Sequence, residues 1–365
     1  MVIIMNTGEI ILAPMEGVLD YPLREAITDY NHYDYCVSEF IRISDVIFPG
    51  KVFRREVPEL KNEGRTRNGT PVCVQLLGTI PETLAQNALV AVRCGALGID
   101  LNFGCPSRMV HRSGGGAAML KNPKLIGEAV RRTRDVLPAE IPLSAKIRLG
   151  WENPDDVYTI YDEIVRAGAD KIVIHARTRK DAYKAEEIKW HYITPFADKG
   201  EVAIVANGEI KDRESALKCM EVTHCPNIMI GRAGVSVPNI ERHVRTGVPK
   251  FTLLESVAAL VHFIDIMKTV LPEQYQMART KQFLGYMRMV YPEVNSFFRD
   301  ICHQTSQHDI DMIIDEVLRE KRPVFIVDKK EKDAAVPPES AQGPDNPETA
   351  QGPDNPETDV TADIQ

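Results

Sequence analysis

Eight short β-rich runs, separated by amphipathic helix-like segments, do most to limit what this chain can fold into. The runs are Ile10–Met15, Tyr35–Phe40, Val72–Gly78, Gly98–Phe103, Leu143–Leu149, Lys171–Arg177, Val202–Asn207 and Asn227–Arg232. Between them lie stretches such as Pro81–Cys94, Pro123–Leu137, Pro154–Ala167 and Asp212–Val222, opened by the Pro or Asp residues that favour helix N-termini. Strand then helix, eight times over, predicts an α/β chain closed into a (β/α)8 TIM barrel. A doubly wound sheet is the alternative; against it, the first βα turn has no GxGxxG fingerprint.

After the eighth run, Val237–Thr246 reads as the last barrel helix, and the character changes near Pro249. From Phe251 to Arg322 helix formers dominate, with apolar spacing such as Val257, Leu260, Val261 and Ile264. The spacing predicts a barrel domain over 1–248 and a small all-helical domain of about four helices over 249–327. In the latter, Lys268, Arg279, Lys281, Arg288 and Arg299 are interspersed with Glu273 and Glu293, and Tyr275, Phe283 and Tyr286 interleave with them. Aromatics at helical spacing usually pack in a core, which suits Phe283. Arg279, Lys281 and Tyr286 are the candidates for contact with phosphate and base.

The net charge is −8, an acidic balance that would ordinarily exclude a polyanionic partner. Residues 328–365 carry ten acidic and three basic side chains, however, so the body of the chain is nearly neutral. That tail repeats AQGPDNPET in tandem at 341–349 and 350–358, and its Pro, Gly and acidic residues predict disorder. No apolar run approaches the roughly 20 residues that span a bilayer, and the N-terminus lacks a basic, then apolar, leader pattern. The expectation is a cytoplasmic protein with no membrane partner. Seven cysteines form no CxxC pair and no metal-like spacing with His, so neither a disulfide framework nor a metal site is expected. The long second connection, Ile41–Thr70, carries Arg42, Lys51, Arg54, Arg55, Lys61, Arg65 and Arg67; it reads either as a solvated charge run or as a polyanion-facing loop.

Catalytic groups in such a barrel project from the C-terminal ends of the strands. Those ends read Ala13-Pro14-Met15, Glu39, Gln75, Asn102 with Cys105, Lys146 with Arg148, His175 with Arg177, Asn207-Gly208-Glu209, and Gly231-Arg232. The last two suit a phosphate, because small residues let backbone N–H groups approach it while Arg232 adds charge. Gln75, Asn102, Lys146 and His175 would line the mouth and offer hydrogen bonds and positive charge to a planar heterocycle such as a reduced flavin. Cys105 sits in GIDLNFGCPSRMVHRSGGG, residues 98–116, where a strand empties into a glycine-rich loop. Such a cysteine either packs as a small hydrophobe or serves as an acid. If a flavin gives hydride to one carbon of a C=C bond, a thiol on this loop would protonate the other, and its pKa would then stay at or above about 8.5.

APMEGVLD at 13–20, VQLLG at 74–78, DLNFGCPS at 100–107, SGGGAAML at 113–120, KIRLG at 146–150, HARTR at 175–179, ANGEI at 206–210 and IGR at 230–232 resemble the bacterial tRNA-dihydrouridine synthases. Glu16, EFIR at 39–42 and ARTKQFLGYMR at 278–288 look most like the C-type subfamily, which acts on uridine 16 of the D-loop. The resemblance implies FMN at the barrel mouth, NADPH (or NADH) as reductant, and reduction of a uridine C5=C6 bond in tRNA, with hydride to C6 and a proton from Cys105 to C5. It implies FMN contacts from Pro14, Met15, Gln75, Lys146, His175, Asn207, Gly208, Glu209, Gly231 and Arg232. Asn102 and Arg177 would meet the target base, and Arg42, Tyr183, Arg279, Lys281 and Tyr286 the RNA. A monomer is expected. Phe103 departs from the smaller residue the family usually has there, a change expected to affect packing only. The acidic tail is an addition that the resemblance does not cover. A flavin-dependent reductase of a free pyrimidine or another small enone is the second reading, and the basic helical domain argues against it.

Overall fold

The computed structural model describes residues 8–320. Its eight strands are β1 (Ile10–Leu12), β2 (Tyr35–Val37), β3 (Val72–Leu77), β4 (Ile99–Asn102), β5 (Leu143–Arg148), β6 (Lys171–His175), β7 (Ala203–Asn207) and β8 (Ile228–Ile230). Each pairs in parallel with its sequence neighbours, and β8 pairs with β1, so the sheet closes into the predicted barrel. The second run is shorter than expected. It breaks after Val37 and resumes only as the two-residue strand Ile41–Arg42 beside β3. At the break the Ser38 hydroxyl accepts the Gln75 N–H at 3.1 Å, replacing a ladder bond and turning Glu39 out of the sheet.

Closure divides the apolar side chains into two layers. Ile11, Ala13, Val37, Cys73, Val173, Val205 and Met229 point inward and fill the barrel. Ile10, Leu12, Leu76, Leu101, Ile147 and Ile174 point outward into the layer under the helices. Below the inner cluster, Lys171 lies 4.7 Å from the Tyr35 ring and is ion-paired to Glu9.

The barrel helices are α1 (Tyr21–Thr28), α2 (Gly50–Glu56), α3 (Pro81–Arg93), α4 (Arg108–Arg112), α5 (Pro123–Val136), α6 (Asp156–Arg166), α7 (Thr194–Lys199), α8 (Arg213–Thr223), α9 (Ala233–Ser236) and α10 (Ile240–Thr246). Local chemistry starts them where the sequence suggests. Asp20 caps α1, Asn122 caps α5, Pro opens α3 and α5, and Asp212 with Ser215 forms a capping box on α8.

Four helices follow Pro249: α11 (Leu253–Val270), α12 (Glu273–Met287), α13 (Asn295–His303) and α14 (Gln307–Glu320). A Thr252–Glu255 capping box begins α11, which packs along α1, while α12 packs on α9 just beyond β8. The long second connection is folded: it carries α2 and a 3-10 turn over Pro58–Lys61, and Glu59 forms a fully buried ion pair with Arg24 at 2.7 Å. Arg67 pairs with Glu25 and Asp29 on the flank of α1, so of this basic run Arg42 stands at the barrel rim. Phe103 is buried in the outer layer, with its N–H donating to the Lys146 carbonyl at 2.8 Å. No helix among the described residues is long and apolar enough to cross a membrane. The acidic repeat tail, for which disorder is expected, lies outside the described residues.

Candidate active site

Parallel register places Gln75 beside Asp100, Asn102 beside Lys146, and Arg148 beside His175, which in turn neighbours Asn207. Neighbours in a parallel ladder face the same side, so the inward positions turn from apolar to polar within one layer of the barrel's C-terminal end. These polar side chains are bonded to one another. Gln75 Nε2 donates to Asp100 Oδ2 at 2.7 Å, and Asn102 Nδ2 donates to Gln75 Oε1 at 2.8 Å. Asn102 Oδ1 then accepts the N–H groups of Gly104 and Cys105 at 3.0 and 2.9 Å, so the base of the cysteine loop hangs from the barrel.

Across the mouth, Lys146 Nζ donates to Asn207 Oδ1 at 3.0 Å, and Asn207 Nδ2 donates to the Met229 carbonyl at 2.8 Å. Arg177 has its Nη1 3.2 Å from His175 Nε2 and forms an ion pair with Glu209, which also takes Arg232 at 3.2 Å. Arg148 is fully enclosed and donates to the carbonyls of Gly104, Thr178 and Ala182. Gly208 is required here. Its φ is +119°, and an added Cβ would lie 2.8 Å from Ile188 Cδ1.

The electrostatics of this layer are one-sided. Burial pushes the His175 pKa well below its ordinary value, and Arg148, Lys146, Arg177 and Arg232 push it the same way, so the ring is neutral. Its Nε2 accepts from Arg177, which puts the ring proton on Nδ1. Lys146 is likewise driven down by burial and then by Arg148, and Arg148 is lowered by burial with Arg177 contributing. Burial raises Asp100 despite its hydrogen bonds from Ser144 and Gln75. Burial also acts to raise Glu209, but hydrogen bonds from Lys211 and Arg177 outweigh it and hold the carboxylate below its usual range. Cations that destabilise one another within a buried layer favour an incoming anion or electron-rich ring.

Burial also pushes the Cys105 thiol up to about 11, against the Ser107 N–H, Arg148 and Arg42, which favour the thiolate. It is a proton-bearing thiol at neutral pH, partly exposed at the mouth. The third glycine of its loop is needed for close approach as well as freedom. Gly116 has φ +56°, and a Cβ there would fall 2.9 Å from the Cys105 carbonyl.

The other expected site residues fall into two groups. Pro14 and Met15 end β1 half-buried, Gly231 follows β8, and Tyr183 stands 45% exposed with its ring 5.1 Å from Arg148 and 5.7 Å from Arg232. Tyr286 is half-buried on α12, its hydroxyl raised by burial and sensing Tyr183 and Arg232. Arg42 is exposed at the rim and pairs with Glu16 at 2.7 Å. Arg279 and Lys281, by contrast, turn into the protein. Arg279 binds both oxygens of Asp20 at 2.9 Å, the Gly17 carbonyl at 3.0 Å and the Val18 carbonyl. Lys281 donates to the carbonyls of Cys302 and Gln304 at 3.1 and 2.9 Å, capping the C-terminus of α13.

Three residues outside the expected set belong to the site. Asp100 anchors the hydrogen-bond chain, and the period-2 alternation from Asn102 already points it inward. Trp151, just past Gly150, has Lys121 at 3.9 Å and Arg179 at 4.8 Å from its ring, tying the far end of the cysteine loop to the loop after β5. Glu39, pushed up to about 6 by burial, accepts the Gly17 N–H at 2.5 Å and holds the β1–α1 loop; its place at a strand end and in EFIR marks it in the sequence but assigns it no role.

A closed barrel with a convergent cationic layer and a protonated cysteine on a βα loop is the architecture of a (β/α)8 oxidoreductase. Among the described residues, no cluster of His, Cys, Asp or Glu could hold a metal. The family model for dihydrouridine synthase matches residues 11–311, and the chain belongs to that family, whose enzymes are flavin-dependent. It is 44% identical over 310 residues to the tRNA-dihydrouridine(16) synthase of Yersinia pestis, covering 85% of this chain and 99% of that protein. The tRNA-dihydrouridine(16) synthase of Escherichia coli strain K12 is 42% identical over 312 residues, covering 86% of this chain and 99% of the relative. Among solved structures, 2-naphthoyl-CoA reductase shares the fold with a TM-score of 0.52 at 13% identity, covering 71% of this chain and 53% of that one.

Proposed function

We propose that this chain reduces uridine 16 in the D-loop of tRNA to 5,6-dihydrouridine, as a cytoplasmic monomer with FMN as cofactor and NADPH (or NADH) as reductant. One observation carries the reading: the cations Lys146 and Arg148, both destabilised by burial, and neutral His175 share a mouth with a thiol that keeps its proton. That donor set fits FMN. Gln75, Asn207 and Lys146 supply directional hydrogen bonds to a flavin ring; Gly208, Glu209, Gly231 and Arg232 form its phosphate end, with Pro14 and Met15 at the rim.

Bound there, FMN supplies a hydride for C6 of the uracil once reduced by the nicotinamide. Cys105 Sγ gives its proton to C5, and its raised pKa keeps that proton available. Asn102 orients the base; Arg177, enclosed and bonded to His175, Glu209 and the Lys184 carbonyl, supports that wall from behind, and Tyr183, Tyr286 and Arg42 face the RNA around it. The helical domain, 249–327, holds the tRNA over the barrel domain, 1–248. Within it Arg279 and Lys281 support that surface from inside, since their donors already meet protein acceptors.

The test is to map dihydrouridine in tRNA from cells lacking this gene and to treat that tRNA with the purified flavoprotein and NADPH. Loss of the modification at position 16, restored in vitro, is the expected result. Full modification in the deletion strain, or turnover of free uridine in preference to tRNA, overturns it.

A further inference from the structure

The chemistry just proposed uses Cys105 and Asn102 and leaves a fully buried carboxylate, Asp100, with no part. We propose that Asp100 is a positioning residue: it sets the direction of a hydrogen-bond chain through Gln75 and Asn102, and so holds the Gly104–Cys105 segment where its thiol can deliver a proton. The role rests on reading Cys105 as the proton donor.

The direction of the chain is fixed from both ends. At the loop end stand two backbone N–H groups, Gly104 and Cys105, which can only donate, so Asn102 must offer them Oδ1. Asn102 Nδ2 is then left to donate to Gln75 Oε1, and Gln75 Nε2 to donate in turn. Such a chain has to end on an acceptor. An ionised carboxylate accepts and never donates, and Asp100 Oδ2 receives Gln75 Nε2 at 2.7 Å while Oδ1 receives the Ser144 hydroxyl. Asp100 and Gln75 are 0% exposed and Asn102 7%, so water is a poor substitute at these joints. Reversing either amide would put donor against donor or acceptor against acceptor.

Asp100 thus acts on the loop at a distance of two side chains. The register that places Asp100 next to Gln75 and Ser144 is set by backbone pairing of β3, β4 and β5, so the anchor belongs to the rigid barrel. Beyond Cys105 the chain runs through α4, with Val110 buried, before Ala117 N–H returns to the Cys105 carbonyl at 3.0 Å.

The experiment measures alkylation of Cys105 by iodoacetamide at pH 9, followed by peptide mass mapping, with exposed Cys302 as internal reference. The variants are Asp100→Leu, which removes the acceptor, and Asp100→Asn, which removes the charge but keeps an oxygen for Gln75 and turns its amide toward Ser144. Asp100→Leu should raise the Cys105 rate at least about fivefold with Cys302 unchanged, and Asp100→Asn should stay within about twofold of the parent. Dihydrouridine formation should fall in Asp100→Leu and stay near the parent in Asp100→Asn, in kcat rather than in KM for tRNA. If Asp100→Leu does not fold, Gln75→Met breaks the chain one link nearer the loop and should give the same increase. An unchanged Cys105 rate in a folded Asp100→Leu or Gln75→Met protein overturns the proposal. Equal increases in the Asn and Leu variants also overturn it, because charge and not bond direction would then be responsible. The alkylation result stands apart from the enzymatic one, so a parent protein inactive on tRNA would count against the proposed function and not against the chain.

Discussion

Arg279→Ala should loosen the loop between β1 and α1 without removing an RNA contact. The Arg279 guanidinium makes charge-assisted bonds to both oxygens of Asp20 at 2.9 Å and a further bond to the Gly17 carbonyl at 3.0 Å. The two side chains are 14% and 24% exposed, so solvent screens the pair only in part. Charged hydrogen bonds contribute about 1.5–3 kcal/mol each when buried. Allowing for rehydration of Asp20 after truncation, the total loss should be about 2–3 kcal/mol. In a protein of this size that lowers the melting temperature by about 5 °C. The decisive assay is tRNA affinity against salt concentration. An arginine on a phosphate contributes about 0.7–0.9 to the slope of log K against log salt, whereas an arginine engaged within the protein contributes nothing. The parent and Arg279→Ala should therefore give parallel lines. A slope reduced by about one unit, with an unshifted melting temperature, would refute the clamp and return Arg279 to the RNA interface.

Cys105→Ala should lower dihydrouridine formation by about 10²–10⁴-fold, the usual worth of a positioned acid, while tRNA binding measured by filter retention persists. The donor must be protonated, and its folded-state pKa is raised to about 11, so the thiolate absorbance that Cys105→Ala removes should stay absent up to about pH 10 and rise only through that value; a thiolate appearing near pH 8 would contradict the raised thiol, whereas a rate that falls there reports Lys146, which burial lowers to about 8. Glu59→Gln leaves Arg24 buried and unneutralised, and chemical denaturation should show a loss of about 3–5 kcal/mol. Lys281→Ala removes a helix cap and should cost about 1 kcal/mol or less in the same measurement, with the salt slope of tRNA binding unchanged.

The barrel is legible in the sequence because each strand is a short, β-rich, two-sided apolar run, and eight of them in alternation with helices admit few topologies. Its strand ends are legible for the same reason: once the fold is fixed, Gln75, Asn102, Lys146, His175 and Asn207 have one place to be. The second strand is misjudged at its end because Ser38 substitutes its hydroxyl for a backbone bond, a choice that depends on Gln75, far along the chain. Arg279 and Lys281 have protein partners that the sequence does not announce. A basic side chain reads the same whether it meets phosphate or a carbonyl, and Arg279 finds its acceptor in Asp20, about 260 residues away in sequence. In Gly114–Gly116 the sequence suggests flexibility, whereas Gly116 is also needed because the Cys105 backbone passes too close for a side chain.

The packed interior below the active-site layer has a kinetic consequence. Ile11, Val37, Cys73, Val173, Val205 and Met229 fill the floor, and Tyr35 and Lys171 lie beneath them, so nothing approaches the polar layer from that side. On the proposed function, a nicotinamide and a tRNA that exchange electrons through a flavin at the mouth would arrive by the same face and take turns. Double-reciprocal plots for the two substrates should be parallel, and excess tRNA should slow oxidation of the nicotinamide by standing in its doorway.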